Sequence, residues 1–416
     1  MKILWFTNTP SLYKKNEKGY NGGGWIESLE NIITKENDIE LAVGFFHADT
    51  NFKKKKGKTT YYPIPLYNTI VKKLKRYFFY NNDKNEVNYY LKVINDFKPD
   101  IIHVFGSEQS FGLLSLYTKI PVVIHVQGIL NPYLNAYYAP GSNMLDLIKQ
   151  NLFKPLKIFN LIRGMSIFKF NAQREAIILK NCKYYMGRTE WDKNVTSLYA
   201  PESRYFYCSE VLRDSFYDAK AWQQKKRTKL ILVSTISKTS YKGFDLIIKT
   251  AKILQELNKT DFEWNVFGIK EYNEWEAKLG IKCSNVNVFL KGVADSSTLV
   301  KNIQESDIFI HPSYIDNSPN SLCEAQVIGI PVISTNVGGI TSLIKNEETG
   351  LLIPANDPYT LAARIIEIKN NKLKAIKIGD NARSKAKLRH DKEIILNDLL
   401  DAYKQIKNAK ITNKNI

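Results

Sequence analysis

Short apolar runs recur along the whole chain, and longer stretches with helical periodicity separate them. Runs of this kind predict parallel β-strands that helices cover on both faces. Because the runs form two series, we predict an α/β chain of two doubly wound domains, with ligand sites at the carboxyl ends of the strands. In chain order the runs are residues 2–6, 39–46, 101–105, 122–126 and 184–186, and then 229–233, 264–267, 286–290, 307–311 and 331–335.

The length of 416 residues supports two domains, because one hydrophobic core rarely extends over so long a chain. The apolar rhythm lapses between Tyr207 and Lys229, where polar residues prevail. We therefore expect a first domain at residues 1–207 and a second at residues 208–390. The C-terminal helix and tail at residues 391–416 are expected to pack back towards the first domain.

Basic residues exceed acidic ones by 60 to 41, which gives a formal net charge of +19. Such a charge favours contact with anions, including phosphorylated substrates, acidic lipids and nucleic acid. Residues 67–80 and 152–163 both interleave basic residues with aromatic and aliphatic ones. This pattern is typical of a helix in an anionic membrane interface, and a packed helix with a solvated basic face is the alternative. The basic run at residues 53–58 is predicted to be a solvated loop.

The four cysteines lie far apart and form no C-x-x-C or Cys/His cluster, so neither structural zinc nor a disulfide framework is expected. The first apolar run is too short for the core of a signal peptide. No run approaches the ~18 apolar residues that a spanning helix needs. These features predict a cytoplasmic protein that does not cross a membrane.

The most informative segment is residues 311–326, which joins a predicted strand to a helix through an acidic loop. Pro319 suits the first position of that helix, with Ser318 as its N-cap. The backbone N–H groups of Asn320 and Ser321 would then face the space above the strand ends. A helix N-terminus in that place favours a phosphate.

Two carboxylates, Asp316 and Glu324, flank the same position. Because carboxylates repel a phosphate, they are expected to bind neutral hydroxyls on either side of it. A nucleotide sugar offers this arrangement, with its ribose at one end of the diphosphate and its hexose at the other.

The segment resembles the E-x7-E signature of family-4 retaining glycosyltransferases, present here as Asp316-x7-Glu324. Pro312-Ser313 before it, Gly329-Ile330-Pro331 after it, and Gly338-Gly339 further on extend the resemblance. The resemblance implies the GT-B fold, in which two Rossmann-like domains face each other across a cleft. The first domain of that fold binds the acceptor, and the second binds the nucleotide sugar.

For individual residues, the resemblance implies that Asp316 holds hexose hydroxyls and acts in catalysis, and that Glu324 holds the ribose. Asn320, Ser321 and Leu322 are likewise expected to bind the donor. No Asp-x-Asp occurs in the chain, which agrees with a family that needs no divalent metal or other cofactor.

The motif Lys242-Gly243 resembles the family's K-G element, whose lysine binds the donor diphosphate and acts in catalysis. The family places an arginine a few residues earlier, and here that second cation is missing or replaced by Lys238. Gly268 and Lys291 match turns that line the family's nucleotide-base pocket.

The first domain carries weaker matches. The motif Gly22-Gly23-Gly24 resembles the family's glycine-rich loop, with a plain flexible turn as the alternative. Gln127 stands where the family has a histidine near the sugar, and His125 on the same strand is the alternate candidate. Arg188 resembles a strand-end residue of a polysaccharide-building subgroup that would act in catalysis, although a structural salt bridge also explains it.

The resemblance implies a retaining hexosyltransferase of bacterial cell-surface polysaccharide synthesis, such as that of capsule or O-antigen. Its partners would be a nucleoside-diphosphate sugar, a saccharide or lipid-linked saccharide acceptor and an anionic membrane surface, with no nucleic acid. The enzyme would be peripheral at the inner face of the plasma membrane. Another sugar-nucleotide enzyme of the same fold, such as a non-hydrolysing epimerase, is one alternative, and a non-catalytic basic module that binds membrane or nucleic acid is another.

Overall fold

The computed structural model describes residues 1–13, 24–48, 51–65, 83–149, 151–257 and 260–412. The chain divides into two compact units. The first unit contains Met1–Leu134, Met165–Val211 and His390–Ile416. The second contains Asn135–Gly164 and Leu212–Arg389.

This division differs from the expected domains in one segment, since residues 135–164 group with the second unit. Ala139 lies in the second unit's hydrophobic core. Lys278 of that unit donates a hydrogen bond to the backbone oxygen of Gly141 and forms an ion pair with Asp146 at 3.3 Å. The sequence could not show these contacts, because they join residues about 130 positions apart.

Eight described strands form the sheet of the first unit, in the order β3-β4-β2-β1-β5-β6-β7-β8. All neighbours run parallel except β3 and β4. From β4 the strand numbers descend to β1 in the middle of the sheet, and from β5 they ascend to β8 at the far edge. The strand order therefore reverses between β1 and β5. The strands are β1 (Lys2–Thr7), β2 (Glu40–His47), β3 (Lys54–Lys56), β4 (Thr59–Pro65), β5 (Ile101–Phe105), β6 (Val122–His125), β7 (Tyr184–Gly187) and β8 (Arg204–Tyr207).

Six strands form the sheet of the second unit, in the order β11-β10-β9-β12-β13-β14, and all of them run parallel. This is the strand order of a dinucleotide-binding fold, and it reverses between β9 and β12. The strands are β9 (Leu230–Thr235), β10 (Phe262–Phe267), β11 (Val288–Gly292), β12 (Ile308–His311), β13 (Val332–Thr335) and β14 (Leu351–Ile353).

Helices connect the strands of both units, and α6 begins in the second unit and ends in the first. Thr189, Asp295 and Asp357 cap three of them, each with a side-chain oxygen that accepts a backbone N–H of the first turn. The described helices are α1 (Gly24–Ile33), α2 (Asp83–Phe97), α3 (Leu114–Tyr117), α4 (Leu130–Asn135), α5 (Met144–Lys149), α6 (Pro155–Asn181), α7 (Glu190–Tyr199), α8 (Asp214–Tyr217), α9 (Phe244–Glu256), α10 (Asn273–Leu279), α11 (Ser296–Gln304), α12 (Asn320–Ile328), α13 (Ile340–Leu343), α14 (Pro358–Asn370), α15 (Lys372–Arg389) and α16 (Lys392–Thr412).

The structure confirms every predicted apolar run as a strand and adds four strands that the sequence analysis missed, β3, β4, β8 and β14. The prediction of a solvated loop at residues 53–58 was wrong, because Lys54–Lys56 pairs with β4 at the sheet edge. A lysine-rich edge strand keeps its outward side soluble and disfavours pairing with another chain.

Helix α16 belongs to the first unit, where the hydroxyl of Tyr403 joins two elements of the buried core. It accepts a hydrogen bond from Trp5 Nε1 at 2.9 Å and lies 2.6 Å from His103 Nδ1. Burial lowers the pKa of His103 to about 3, so this imidazole stays neutral. The hydroxyl therefore satisfies two polar groups of β1 and β5 that have no access to water.

Replacing Tyr403 with phenylalanine removes this shared partner and leaves the Trp5 and His103 nitrogens buried without it. We expect Tyr403→Phe to lower the free energy of unfolding by about 1–3 kcal/mol. Urea denaturation followed by tryptophan fluorescence measures the change. Tyr359→Phe is the matched control, since Tyr359 is exposed and the same substitution there is expected to change stability by less than ~0.5 kcal/mol. Equal effects of the two substitutions would contradict the assignment.

Candidate functional site

The second sheet reverses its strand order between β9 and β12, and ligands of open α/β sheets bind at such a point, beyond the carboxyl ends of the strands. The loop after β9 carries Lys242, and the loop after β12 carries Asp316. Topology thus brings together two residues that lie 74 positions apart in the sequence.

Asp316 is the centre of this site. Its Oδ2 atom lies 2.5 Å from Lys242 Nζ and 3.1 Å from His311 Nε2, and it accepts a hydrogen bond from Ser313 Oγ at 3.3 Å. Burial raises the pKa of Asp316, but the charge and hydrogen bonds of Lys242 and His311 outweigh it and lower the pKa well below its usual range. The carboxyl group is therefore ionised at neutral pH and accepts hydrogen bonds only.

Two glycines fix the loop that carries Asp316. Gly243 has φ +71°, and a Cβ there would lie 1.9 Å from the carbonyl oxygen of Pro312. Gly338 has φ +51°, and a Cβ there would lie 2.0 Å from the carbonyl oxygen of Asp316. Both positions require glycine for conformation and for space, so neighbouring loops approach the backbone on two sides of Asp316.

Helix α12 begins at Asn320, one residue later than predicted, and Pro319 is its N-cap. The prediction that Ser318 caps the helix was wrong: the side chain of Ser318 lies 3.9 Å from Cys323 Sγ. The N–H groups of Leu322 and Cys323 bond to the Pro319 oxygen, so those of Asn320 and Ser321 precede the hydrogen-bonded turn.

The first turn of α12 therefore does not use these two N–H groups, for which the sequence predicts a phosphate as the acceptor. In addition, the buried Oδ1 atom of Asn320 has no hydrogen-bond partner among the described residues. Leu322 is different from its neighbours. Its side chain is fully buried in the hydrophobic core and its N–H is used within the turn, so the structure gives it a packing role.

Glu324 lies one helical turn after Asn320 and forms a two-pronged ion pair with Arg213. The Glu324 oxygens accept hydrogen bonds from Arg213 Nε at 2.7 Å and from Arg213 Nη2 at 2.8 Å. Burial raises the pKa of Glu324, and the guanidinium opposes that effect. Sequence reasoning missed Arg213, because it stands 111 positions away in the segment that leads into the second unit.

Lys238, the candidate for the second cation, pairs with Glu274 at 3.8 Å and lies 5.4 Å from the ring centre of Tyr272. Glu274 also pairs with Lys157 at 2.5 Å. Glu274 thus holds Lys238 by an ion pair that the sequence did not predict.

The two residues expected near the base lie at the carboxyl ends of two neighbouring strands. Gly268 follows β10 and donates its N–H to the carbonyl oxygen of Gly292 at 2.8 Å. Lys291 in β11 is exposed, with its Nζ 5.3 Å from the ring centre of Phe289.

In the first unit, Arg188 and Gln127 lie together after neighbouring strands. Arg188 Nη2 donates to the Gln127 backbone oxygen at 3.2 Å and lies 3.5 Å from the Gln127 Oε1 atom. The guanidinium also forms a buried ion pair with Glu210, which sequence reasoning did not identify. The structural salt bridge considered for Arg188 is thus present, and the same contacts place its guanidinium beside Gln127.

His125, the alternate to Gln127, is fully buried and packs against Trp25 and Phe105. Burial lowers its pKa well below the usual range, and the nearby charge of Arg188 lowers it further. The side chain therefore faces the core of the sheet, which leaves Gln127 as the candidate of the two.

A pair of acidic residues in the first unit was not predicted. Glu108 follows β5 at the point where the first sheet reverses its order, and its Oε1 atom accepts a hydrogen bond from Asn8 after β1. Glu175 accepts hydrogen bonds from Ser107 Oγ at 2.6 Å and from the backbone N–H of Leu130 at 2.6 Å. It thereby ties the loops after β5 and β6 to helix α6.

Burial raises the pKa of Glu175 to about 7, although the hydrogen bonds from Ser107 and the backbone oppose it. Isolated acidic residues far from any motif gave no signal in the sequence, since only the fold brings them to the strand ends.

Some predicted residues lie outside the described part of the chain. Gly22 and Gly23 are among them, as is the basic aromatic segment at residues 67–80. Gly24 is described and begins helix α1.

In the described ranges, no group of three or more His, Cys, Asp and Glu side chains could hold a metal ion. No helix of the described residues is long and apolar enough to span a bilayer.

Solved structures of low sequence identity share the whole fold. Sucrose-phosphate synthase from Thermosynechococcus elongatus aligns with a TM-score of 0.73 at 15% identity, over 98% of this chain and 99% of that one. Anabaena HepE in complex with UDP and glucose aligns with a TM-score of 0.63 at 13% identity, over 97% of this chain and 100% of that one. These likenesses, with the two sheets described above, confirm the predicted GT-B fold.

Sequence comparison also finds similarity in the second unit. Residues 216–385 match the model of the family Glycosyl transferases group 1, in agreement with the motifs of that segment. The amylovoran biosynthesis glycosyltransferase AmsK from Erwinia amylovora is 26% identical over 187 residues. That alignment covers 42% of this chain and 45% of the relative, so the chain spans under half the length of this curated relative.

The raised pKa of Glu175 predicts a pH dependence of stability. A carboxyl group whose pKa is higher in the folded than in the unfolded state stabilises the fold at low pH, and this contribution is lost as the pH rises through the folded pKa. We expect Glu175→Gln to remove the dependence, so that between pH 5 and pH 8 the variant gains about 2–3 kcal/mol relative to wild type. Urea titrations across this range, with Glu202→Gln as an exposed control, measure the difference. A constant difference at every pH would show that Glu175 does not titrate there.

Proposed function

We propose that the chain is a retaining glycosyltransferase, which moves a hexosyl group from a nucleoside-diphosphate sugar to a hydroxyl group of a saccharide acceptor. One observation carries the proposal. At the switch point of the second sheet, an ionised Asp316 and Lys242 lie together at the loop that leads into the first turn of α12. This arrangement offers cationic and anionic hydrogen-bonding groups for a diphosphate with sugars on both sides.

In the proposed reaction, negative charge develops on the departing diphosphate and positive charge on the sugar ring. Lys242 has three N–H donors, and its contact with Asp316 uses one of them. The others, together with the N–H groups of Asn320 and Ser321, would stabilise the leaving group. Fixed donors of this kind contribute roughly 3–4 kcal/mol each to the transition state.

In this proposal, the two carboxylates bind the uncharged hydroxyl groups of the donor. Asp316 accepts hydrogen bonds from the hexose hydroxyls, for which its lowered pKa keeps it ionised. Glu324 accepts them from the ribose, and Gly268 and Lys291 lie by the base. Because Lys242 and the helix N-terminus supply positive charge at the diphosphate, we propose that the reaction needs no divalent metal.

The comparisons support the choice of substrates. HepE, which shares the fold, is described in complex with UDP and glucose. AmsK is described as a glycosyltransferase of amylovoran biosynthesis. We therefore propose a role in the synthesis of a bacterial cell-surface polysaccharide such as capsule or O-antigen, with the retaining outcome taken from the resemblance to family-4 enzymes.

A thermal-shift panel of UDP, GDP, ADP, CMP and their sugars tests the donor site. We expect one nucleotide class to raise the melting temperature of the wild type and to lose this effect in Lys242→Ala, because the ammonium group binds the diphosphate. Lys229→Ala is the matched control. Lys229 precedes β9, so it lies at the amino-terminal ends of the strands, away from the proposed site, and it pairs with Glu263. No shift with any compound would refute the transferase and leave the basic binding module as the better reading.

We further propose that the acceptor is lipid-linked and that the second unit contacts an anionic membrane. At the start of α6, Leu152, Phe153 and Leu156 are 62%, 98% and 80% exposed. Lys154 stands among them, and Lys157 follows. Helix α6 begins at Pro155, later than predicted, so Phe153 projects from the turn before it. An exposed apolar cluster with basic neighbours fits a surface of acidic lipids.

Vesicle flotation tests the membrane contact. We expect the wild type to float with vesicles that contain phosphatidylglycerol, and Phe153→Ser/Leu156→Ser to remain in the lower fractions, because the apolar insertion is lost. Leu373→Ser/Leu388→Ser is the matched control, since these two leucines of the second unit are also exposed. If the wild type itself does not float, the membrane contact is refuted, and the donor panel remains a separate test of the reaction.

A further inference from the structure

We propose that Arg213 is the second cation of the donor site and that its Nη1 group binds the diphosphate of the nucleotide sugar. This inference rests on the proposed function and assigns a residue to it. Arg213 lies at the start of the second unit's longer segment, Leu212–Arg389. It precedes strand β9, whereas the family's arginine is expected in the loop after that strand.

The charges of the site show why a second cation is needed. The ammonium group of Lys242 already faces the carboxylate of Asp316, and a diphosphate carries more than one negative charge. Lys238 is held by Glu274 at 3.8 Å and lies by the Tyr272 ring, and Glu274 in turn pairs with Lys157. Lys238 thus shares its charge with another group of side chains, at an ion-pair distance longer than the two contacts of Arg213 with Glu324.

Arg213 has the geometry of an anchored anion-binding side chain. Its Nε and Nη2 atoms donate to the two oxygens of Glu324. Its Nη1 group has no hydrogen bond to any described residue, which leaves two N–H donors for another acceptor. The side chain is 34% exposed, so solvent or a ligand reaches it. The ring of Phe216, 4.8 Å from the guanidinium carbon, supports the plane from one side.

Helix geometry directs this guanidinium towards the first turn of α12, where the phosphate is predicted. Glu324 lies four residues after Asn320, and residues at this spacing share one face of a helix. Side chains of a helix also tilt towards its N-terminus, so the Glu324 carboxylate and its partner reach back along the first turn.

Arg213 would therefore have two roles in the donor complex. It fixes the Glu324 carboxylate, and it offers its remaining donor pair to a phosphate oxygen next to the N–H groups of Asn320 and Ser321. An arginine suits this task better than a lysine, because its planar fork binds one anion while a carboxylate holds the other edge.

Titration calorimetry of the full chain tests the assignment. It compares the nucleoside diphosphate selected by the donor panel with its nucleoside, which lacks phosphate. We expect Arg213→Gln to weaken binding of the diphosphate by tenfold or more and binding of the nucleoside by a clearly smaller factor, because both ligands lose the anchored Glu324 but only the diphosphate loses the phosphate contact. Arg213→Lys is expected to recover part of the diphosphate affinity, since it keeps the charge.

Arg227→Gln is the matched control, because Arg227 forms a comparable pair with Asp307 at 3.0 Å, just before strand β12. Thermal unfolding without ligand confirms that each variant folds. If Arg213→Gln lowers the affinities for the diphosphate and for the nucleoside by the same factor, Arg213 acts only through Glu324 and the inference is overturned. If it changes neither, the inference fails while the proposed function stands. A wild type that binds no nucleotide would overturn both.

Discussion

The contact between Asp316 and Lys242 is the interaction on which the second unit's site depends. A buried carboxylate is unfavourable unless positive charge and hydrogen bonds surround it, and here Lys242, His311 and Ser313 supply them. The pair also joins the loops after β9 and β12, which the sheet order places next to each other. Two glycines pack against the loop after β12, because a side chain at Gly243 would clash with the Pro312 backbone and one at Gly338 with the Asp316 backbone. The contact matters less for stability than for holding charged groups in one arrangement before a ligand arrives.

Much of the fold followed from the sequence, because buried parallel strands are nearly continuous apolar runs. Three of the four missed strands lack that signal: β3 consists of three lysines, β4 contains two prolines, and β8 has no fully buried residue. The fourth, β14, is apolar but only three residues long. Strands β3, β8 and β14 are edge strands, and β4 lies next to an edge.

The residues of the candidate site also fall into those that the sequence indicates and those that it does not. Asp316, Glu324, Asn320 and Lys242 could be predicted, since a short segment or a local motif carries each of them. Their partners could not. Arg213 meets Glu324 across 111 positions, and Arg188 meets Glu210 in a turn with no motif of its own. The one-residue error at the start of α12 has a local cause, because Pro319 is compatible with both the N-cap and the first helical position.

The route of the chain between the units has a consequence for biosynthesis. The second unit's main segment lies wholly between Val211 and His390, whereas the first unit needs residues from both ends of the chain. A ribosome therefore releases all of the second unit before it releases α16, and Trp5 and His103 have no Tyr403 hydroxyl until translation has passed residue 403. The unit whose sheet is synthesised first is thus completed last. A nonsense codon near residue 390 would accordingly leave all eight described strands of the first sheet in the chain but remove the helix that its buried core needs, and would spare the second unit.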